Sequence, residues 1–212
     1  RVVQGGAFRQ QALTGQQTFG GLMALLGEED LVRLFIHGEV TGGDDTFAGA
    51  WIGSDEGHNE AEIKAAVEMT NRHPNIRSVV VGNETILRLE RKPEELIAAI
   101  RKVRRQVKKQ VTTGETWDIW LKHPELVREV DYIAAHILPY WEGIPAEEVV
   151  EYSLGRYEAL RAAYPGKRIV VAEFGWPSQG YNFQRAETGQ VRQANIIRTF
   201  VAEAARRGIT VN

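Results

Sequence analysis

Two glutamates stand where a carboxylate is costly unless it has work to do. Residues 76–84 (IRSVVVGNE) and 168–178 (RIVVAEFGWPS) are β-branched apolar runs of strand length, each reaching a single acid beside a glycine. A charged side chain after four or five apolar residues is cheap only where the strand emerges into a polar cleft. Two such strand ends, at Glu84 and Glu173, suggest a paired-carboxylate site. That pair suits retaining glycoside hydrolysis, in which one acid protonates the leaving oxygen and the other attacks the sugar carbon. The competing reading is a pair of rim acids that are merely solvated or salt-bridged.

Tryptophans add a second signal. Trp51, Trp117, Trp141 and Trp176 fall at or just past predicted strand ends, with Trp120 close behind. Indole faces pack against pyranose C–H faces and the indole N–H donates to hydroxyls, although a tryptophan at a barrel end serves equally well as a core cap. His136, within YIAAHILPY and in phase with Tyr140, suits either the cleft floor or a satisfied core position. Asp55, Glu56 and His58 have no metal-site spacing and read as a polar loop with a helix cap. No metal or cofactor is expected. The run RKVRRQVKK at 101–109 reads as the solvated face of an amphipathic helix rather than a nucleic-acid surface.

The elements that must position these groups alternate. Strands are predicted at 2–8, 31–36, 46–52, 76–83, 110–117, 132–140 and 168–174, and the final ITVN begins an eighth. Helices are predicted at 17–26, from Asn59 onward with Asn59 and Glu62 as a capping box, from Pro93, at 124–130, at 146–163 and at 190–207. This alternation predicts a parallel α/β sheet, and the missing GxGxxG after the first strand argues against a dinucleotide-binding fold. A (β/α)8 TIM barrel fits, with Glu84 and Glu173 ending strands four and seven on its catalytic face. Strand alternation would point Val80, Gly82 and Glu84 inward, with Val171 and Glu173. The barrel is expected to be shortened, lacking the helices after strands two and eight, and to form one catalytic domain over 1–212. An uncovered apolar stripe would then make self-association possible.

Bulk composition agrees with that reading. The 212 residues are 43% hydrophobic and 25% charged, enough for a full core, and the net charge of −2 gives no bias toward nucleic acid or an anionic membrane. No apolar run is long enough to predict membrane insertion. The absence of cysteine excludes disulfides and thiolate chemistry without naming a compartment.

VVVGNE (79–84) and VVAEFGWPS (170–178) resemble the acid/base and nucleophile motifs of family-17 glycoside hydrolases, retaining enzymes that act on β-1,3-glucans. GAWIG (49–53) and HILPYWEG (136–143) are similar to its bacterial branch, which includes glucan hydrolases and β-glucan transglycosylases. The resemblance implies Glu84 as acid/base, Glu173 as nucleophile, Asn83 as partner of the sugar 2-hydroxyl, and Tyr140 and Trp176 lining the site. It also implies a β-glucan partner and an extracytoplasmic location. Phe35 departs from the family's usual strand-two tyrosine. A transglycosylase and a non-catalytic glucan-binding barrel remain as alternative functions.

Overall fold

The computed structural model describes residues 46–212. The predicted elements at 2–8, 17–26 and 31–36, the absent second helix and Phe35 all lie outside that range. Six strands form one sheet in sequence order: β1 Thr46–Ala50, β2 Ile76–Asn83, β3 Gln110–Thr116, β4 Ile133–Ile137, β5 Ile169–Phe174 and β6 Thr210–Val211. Every neighbouring pair is parallel. Helices alternate with them: α1 Glu56–Arg72, α2 Pro93–Arg104, α3 Trp117–Lys122, α4 Pro124–Glu129, α5 Val149–Ala163 and α6 Gln190–Arg206. Over the described residues this is α/β architecture of the predicted barrel type, with β2 and β5 where strands four and seven are predicted.

Local chemistry explains most boundaries. Asp55 caps α1, its Oδ1 accepting from the His58 N–H at 3.0 Å, so the helix opens ahead of the predicted Asn59. Asn59 and Glu62 are buried and hold the β1–α1 loop instead. The Asn59 side chain pairs with both the N–H and the carbonyl of Gly53 (2.8 and 2.9 Å), and Glu62 accepts from the Trp51 N–H at 2.9 Å. Pro93 starts α2 as predicted. Pro124 separates α3 from α4 because it carries no N–H to continue the first helix, and α3 itself went unpredicted. Pro139 likewise ends β4 well short of Tyr140, and Pro139–Glu142 forms a 3₁₀ turn.

The main core lies between the outer sheet face and the helices, where Leu96, Ile100 and Val103 of α2 are fully buried. Each such side chain contributes about 1.5–3 kcal/mol. The opposite, basic face of α2 is ion-paired: Arg101 with Glu129 (2.6 Å), Lys102 with Glu60, and Arg104 with Asp131 (3.0 Å). On α6 the stripe Ile196, Phe200, Ala204 is buried, and Phe200 stacks on Phe174 of β5 at 3.7 Å. Ile197 and Val201 are 36% and 47% exposed, because each lies one residue round the helix from that single i, i+4, i+8 line.

Inside the sheet, simple alternation fails at the two strands that matter. In β2 the register shifts between Val80 and Asn83, and Gly82 takes φ +81°. Asn83 therefore joins Val80 on the inner face, and Glu84 follows at φ +51°. In β5, Ala135 pairs with Val171 but His136 with Glu173, so Ala172 and Glu173 both face inward with Val170. Val171 packs outward against Phe200 and Leu154, contrary to the alternation reading. A bulge precedes each acid, and bulges re-aim side chains in this way.

Gly82 tests this geometry, since a Cβ there would meet Thr85 Oγ1 at 2.6 Å and Leu96 Cδ1 at 3.0 Å. Gly82→Ala should lose about 1–3 kcal/mol of unfolding free energy in urea. Gly155→Ala, within α5 and with nothing inside 4 Å, should gain about 0.5–1 kcal/mol.

Candidate active site

Glu84 and Glu173 converge on one imidazole. His136 Nδ1 lies 3.0 Å from Glu84 Oε1 and Nε2 lies 3.6 Å from Glu173 Oε1, the first a hydrogen bond and the second an ion-pair distance. The ring is 2% exposed, and the Glu84 and Glu173 side chains are 19% and 36% exposed at the opening above it. A carboxylate oxygen from each acid and a ring nitrogen lie within 4.8 Å of one another. That closeness could also accept a metal ion, but the two ring nitrogens address different carboxylates, which makes the imidazole a spacer between acids.

The strands make room for this contact. Gly114 of β3 lies beneath it, where a Cβ would sit 2.8 Å from His136 Nε2 and 3.1 Å from Asn83 Oδ1. Asn83 thus enters the same cleft as His136 and Glu173. Glu84 is fixed through its backbone: its N–H donates to Gly114 O at 2.7 Å, and its carbonyl accepts from the Arg88 N–H at 2.8 Å.

Burial alone would keep His136 neutral. Glu173, the hydrogen bond and charge of Glu84, and Glu115 together outweigh that burial and raise its pKa above the ordinary 6.5. A cation between two carboxylates relieves their mutual repulsion.

The aromatics divide. Trp117 stands at the start of α3, beside a cleft of about 360 Å³ that also reaches Asp118, Lys122, His136 and Glu142. Its Nε1 donates to Glu142 Oε1 at 3.1 Å, and the Arg156 guanidinium covers one face at 4.5 Å. Trp51 carries the Arg88 guanidinium at 4.2 Å. Tyr140 and Trp176 are 4% and 3% exposed, packed edge to face at 5.5 Å with Trp141 alongside. Their polar atoms serve the rim backbone: Tyr140 OH donates to Tyr181 O, and Trp176 Nε1 to Glu187 O at 2.9 Å. Trp120 is fully buried beneath β4, donating to Ala134 O at 3.0 Å.

Two acids escaped the sequence reading. Glu142 accepts from both Trp117 and the Tyr152 hydroxyl, whose pKa is pushed up to about 12 by burial and by that bond. Glu115 is fully buried at the end of β3 and accepts from the Ile86 and Leu87 N–H groups at 2.8 and 3.4 Å. Burial pushes its carboxyl up to about 7, against the lowering effect of those amides and His136, with Glu84 adding to the rise. Like the recognised pair, Glu115 is a strand-end acid near a glycine, but the run before it, QVTT, is not apolar, and so the cost of a charge after an apolar run did not single it out.

Comparison with known proteins agrees with the family-17 resemblance. The family model described as "BtgE/BtgC glycoside hydrolase domain" matches residues 40–211. The chain is 25% identical over 149 residues to "Probable glucan endo-1,3-beta-glucosidase btgC" of Aspergillus flavus, covering 63% of this chain and 22% of the relative. A "Probable family 17 glucosidase" of Saccharomyces cerevisiae is 26% identical over 142 residues, covering 64% and 37%. The chain therefore spans well under half the length of these curated relatives. The crystal structure of a glycoside hydrolase family 17 β-1,3-glucanosyltransferase from Rhizomucor miehei superposes with a TM-score of 0.71 at 25% identity, covering 79% of this chain and 64% of that one.

The two raised groups act on stability in one direction. Glu115 keeps its proton in the fold up to about pH 7, whereas the unfolded chain releases it from about 4.5, so stability falls between those values. The ceiling on that loss is about 3 kcal/mol. Protonated His136 contributes fully below about pH 6.5, and its contribution disappears as pH rises through its higher native value. Urea unfolding at pH 5, 6, 7 and 8 should show falling stability, with Glu115→Gln flattening the slope between pH 5 and 7.

Proposed function

Because the chain belongs to the BtgE/BtgC glycoside hydrolase domain family, we propose that it cleaves β-1,3-glucan with retention of anomeric configuration. The observation that carries this reading is the approach of the Glu84 and Glu173 carboxylate oxygens within 4.8 Å across His136. Retaining enzymes hold their carboxyl groups about 5–5.5 Å apart for direct attack, and inverting enzymes leave about 6.5–9.5 Å for a water.

In this mechanism Glu84 protonates the glycosidic oxygen while Glu173 attacks the anomeric carbon, forming a glycosyl ester and releasing the aglycone sugar. Glu84, now a carboxylate, takes the proton from an incoming water, which displaces Glu173 and restores both groups. Asn83 binds the 2-hydroxyl of the sugar under attack. Trp51, Trp117 and Trp141 supply apolar surface along the cleft, with His136 at its floor and the buried Tyr140 and Trp176 supporting its wall. No cofactor or metal takes part. The substrate is polymeric glucan met outside the cytoplasm, and neither nucleic acid nor membrane insertion has a role. Self-association through uncovered apolar surface belongs to the same reading.

Transfer to a sugar acceptor is a second reading, favoured by the likeness to the R. miehei glucanosyltransferase. It differs only in the second step, where a glucan hydroxyl replaces water. Products longer than the starting laminari-oligosaccharide would select it.

Chemical rescue tests the assignment. Glu173→Gly should lose about 10³–10⁵ in kcat and regain turnover of an activated β-glucoside with azide, giving an α-glucosyl azide. Glu84→Ala should give the β-azide, because the ester still forms and azide needs no base. Undiminished activity in both variants sinks the proposal, and exchanged anomers reverse the roles.

A further inference from the structure

We infer that Glu115 is the positioning residue for Glu84: it holds the turn that presents Glu84 to His136 and thereby governs acid/base catalysis without touching substrate. This rests on the retaining reading above.

The turn after β2 holds a costly backbone conformation. Glu84 adopts φ +51°, a left-handed conformation that costs a non-glycine residue about 1–2 kcal/mol and persists only where its surroundings impose it. Restraints come from within the turn, where Arg88 N–H donates to Glu84 O, Glu90 N–H to Thr85 O and the Arg88 guanidinium to Asn83 O. Others come from Thr85 Oγ1, which donates to Ile52 O, and from β3. Gly114 O receives the Glu84 N–H, and one residue later the Glu115 carboxylate receives the N–H groups of Ile86 and Leu87. Backbone on either side of the Glu84 side chain is thus tied to consecutive residues of one strand. If the second tie is cut, the relaxed turn has φ below zero at Glu84, which swings its Cα–Cβ bond away from His136 Nδ1. Ile86 N–H would also lose its acceptor in a buried setting, where an unpaired donor costs about 1–3 kcal/mol.

Simpler packing needs are a poor explanation for a carboxylate here. Glu115 is fully buried against the turn that carries the buried Ile86, and an apolar residue could fill the volume. What an apolar residue could not do is accept two adjacent amides. Glu84 from the β2 end and His136 from β4 are the charged groups that act on it, so Glu115 is electrically coupled to both partners of the contact it supports. Its burial keeps it from reaching a sugar.

Leaving-group dependence separates this role from a general structural one. An aryl glycoside with a dinitrophenolate leaving group needs no acid for the first step, and azide as acceptor needs no base for the second. A defect confined to Glu84 therefore vanishes under those conditions. Glu115→Ala should lower kcat on laminarin by about 10- to 100-fold with KM changed less than about threefold. On 2,4-dinitrophenyl β-laminaribioside with azide it should stay within about threefold of the parent, and Glu115→Gln, which keeps one acceptor oxygen, should recover most of the laminarin activity. Equal losses on both substrates, or an undiminished laminarin rate, would overturn the inference. If Glu115→Ala does not fold, Glu115→Met, which fills the volume without an acceptor oxygen, is read in its place, and its laminarin loss must exceed its dinitrophenyl loss by at least about threefold. If the parent cleaves neither substrate, the functional reading fails separately. The inference is then decided by carboxyl ¹³C titration of the folded variant: the Glu84 midpoint moves and the Glu173 midpoint does not, and an unmoved Glu84 midpoint refutes it.

Discussion

Two carboxyl groups within 4.8 Å of each other in a partly buried cleft can be ionised together only if something offsets their repulsion, and in this protein the His136 imidazole is placed to do so. At an effective dielectric of about 20, two unit charges at that separation repel by about 3–4 kcal/mol. The ring between them is buried, which alone would neutralise it, yet the surrounding acids keep it cationic past its ordinary range. The remaining features of the site are conditions for that contact. Gly114 leaves the volume the ring and Asn83 occupy, and β4 brings His136 level with Glu173.

The backbone irregularities of β2 and β5 are the second condition. A regular strand sends successive side chains to opposite faces, so only one of Asn83 and Glu84, or of Ala172 and Glu173, would face the cleft. One extra residue before each acid changes that count, at the cost of ladder hydrogen bonds and left-handed backbone at Gly82 and Glu84. The protein carries this local strain next to the two acids and surrounds it with fixed hydrogen bonds from β3.

The rim is built differently on its two sides. On the α3 side, Trp117 is pinned by Glu142 beneath Arg156 and borders open space. On the β5 side, Tyr140, Trp141, Trp176 and Phe183 pack among themselves, and the polar groups of Tyr140 and Trp176 tie down the chain at Tyr181 and Glu187. Such a wall presents shape rather than free polar groups.

The order of strands and helices over the described residues, the opening of α2 at Pro93, the close of α6 before Gly208, and the two strand-end acids were all legible in the sequence. Those features come from short-range rules: period, capping, and the cost of a charge after an apolar run. Asp55 rather than Asn59 as the cap of α1, the extra helix Trp117–Lys122 and the burial of Trp176 were not, because competing residues satisfied the same local rule and tertiary partners chose between them. Glu115 is also a strand-end acid near a glycine, yet its carboxylate turns to backbone amides while those of Glu84 and Glu173 turn to His136. Which carboxylate meets which partner depends on register shifts between strands far apart in the chain, and strand alternation, the only rule a single strand obeys by itself, breaks at those shifts.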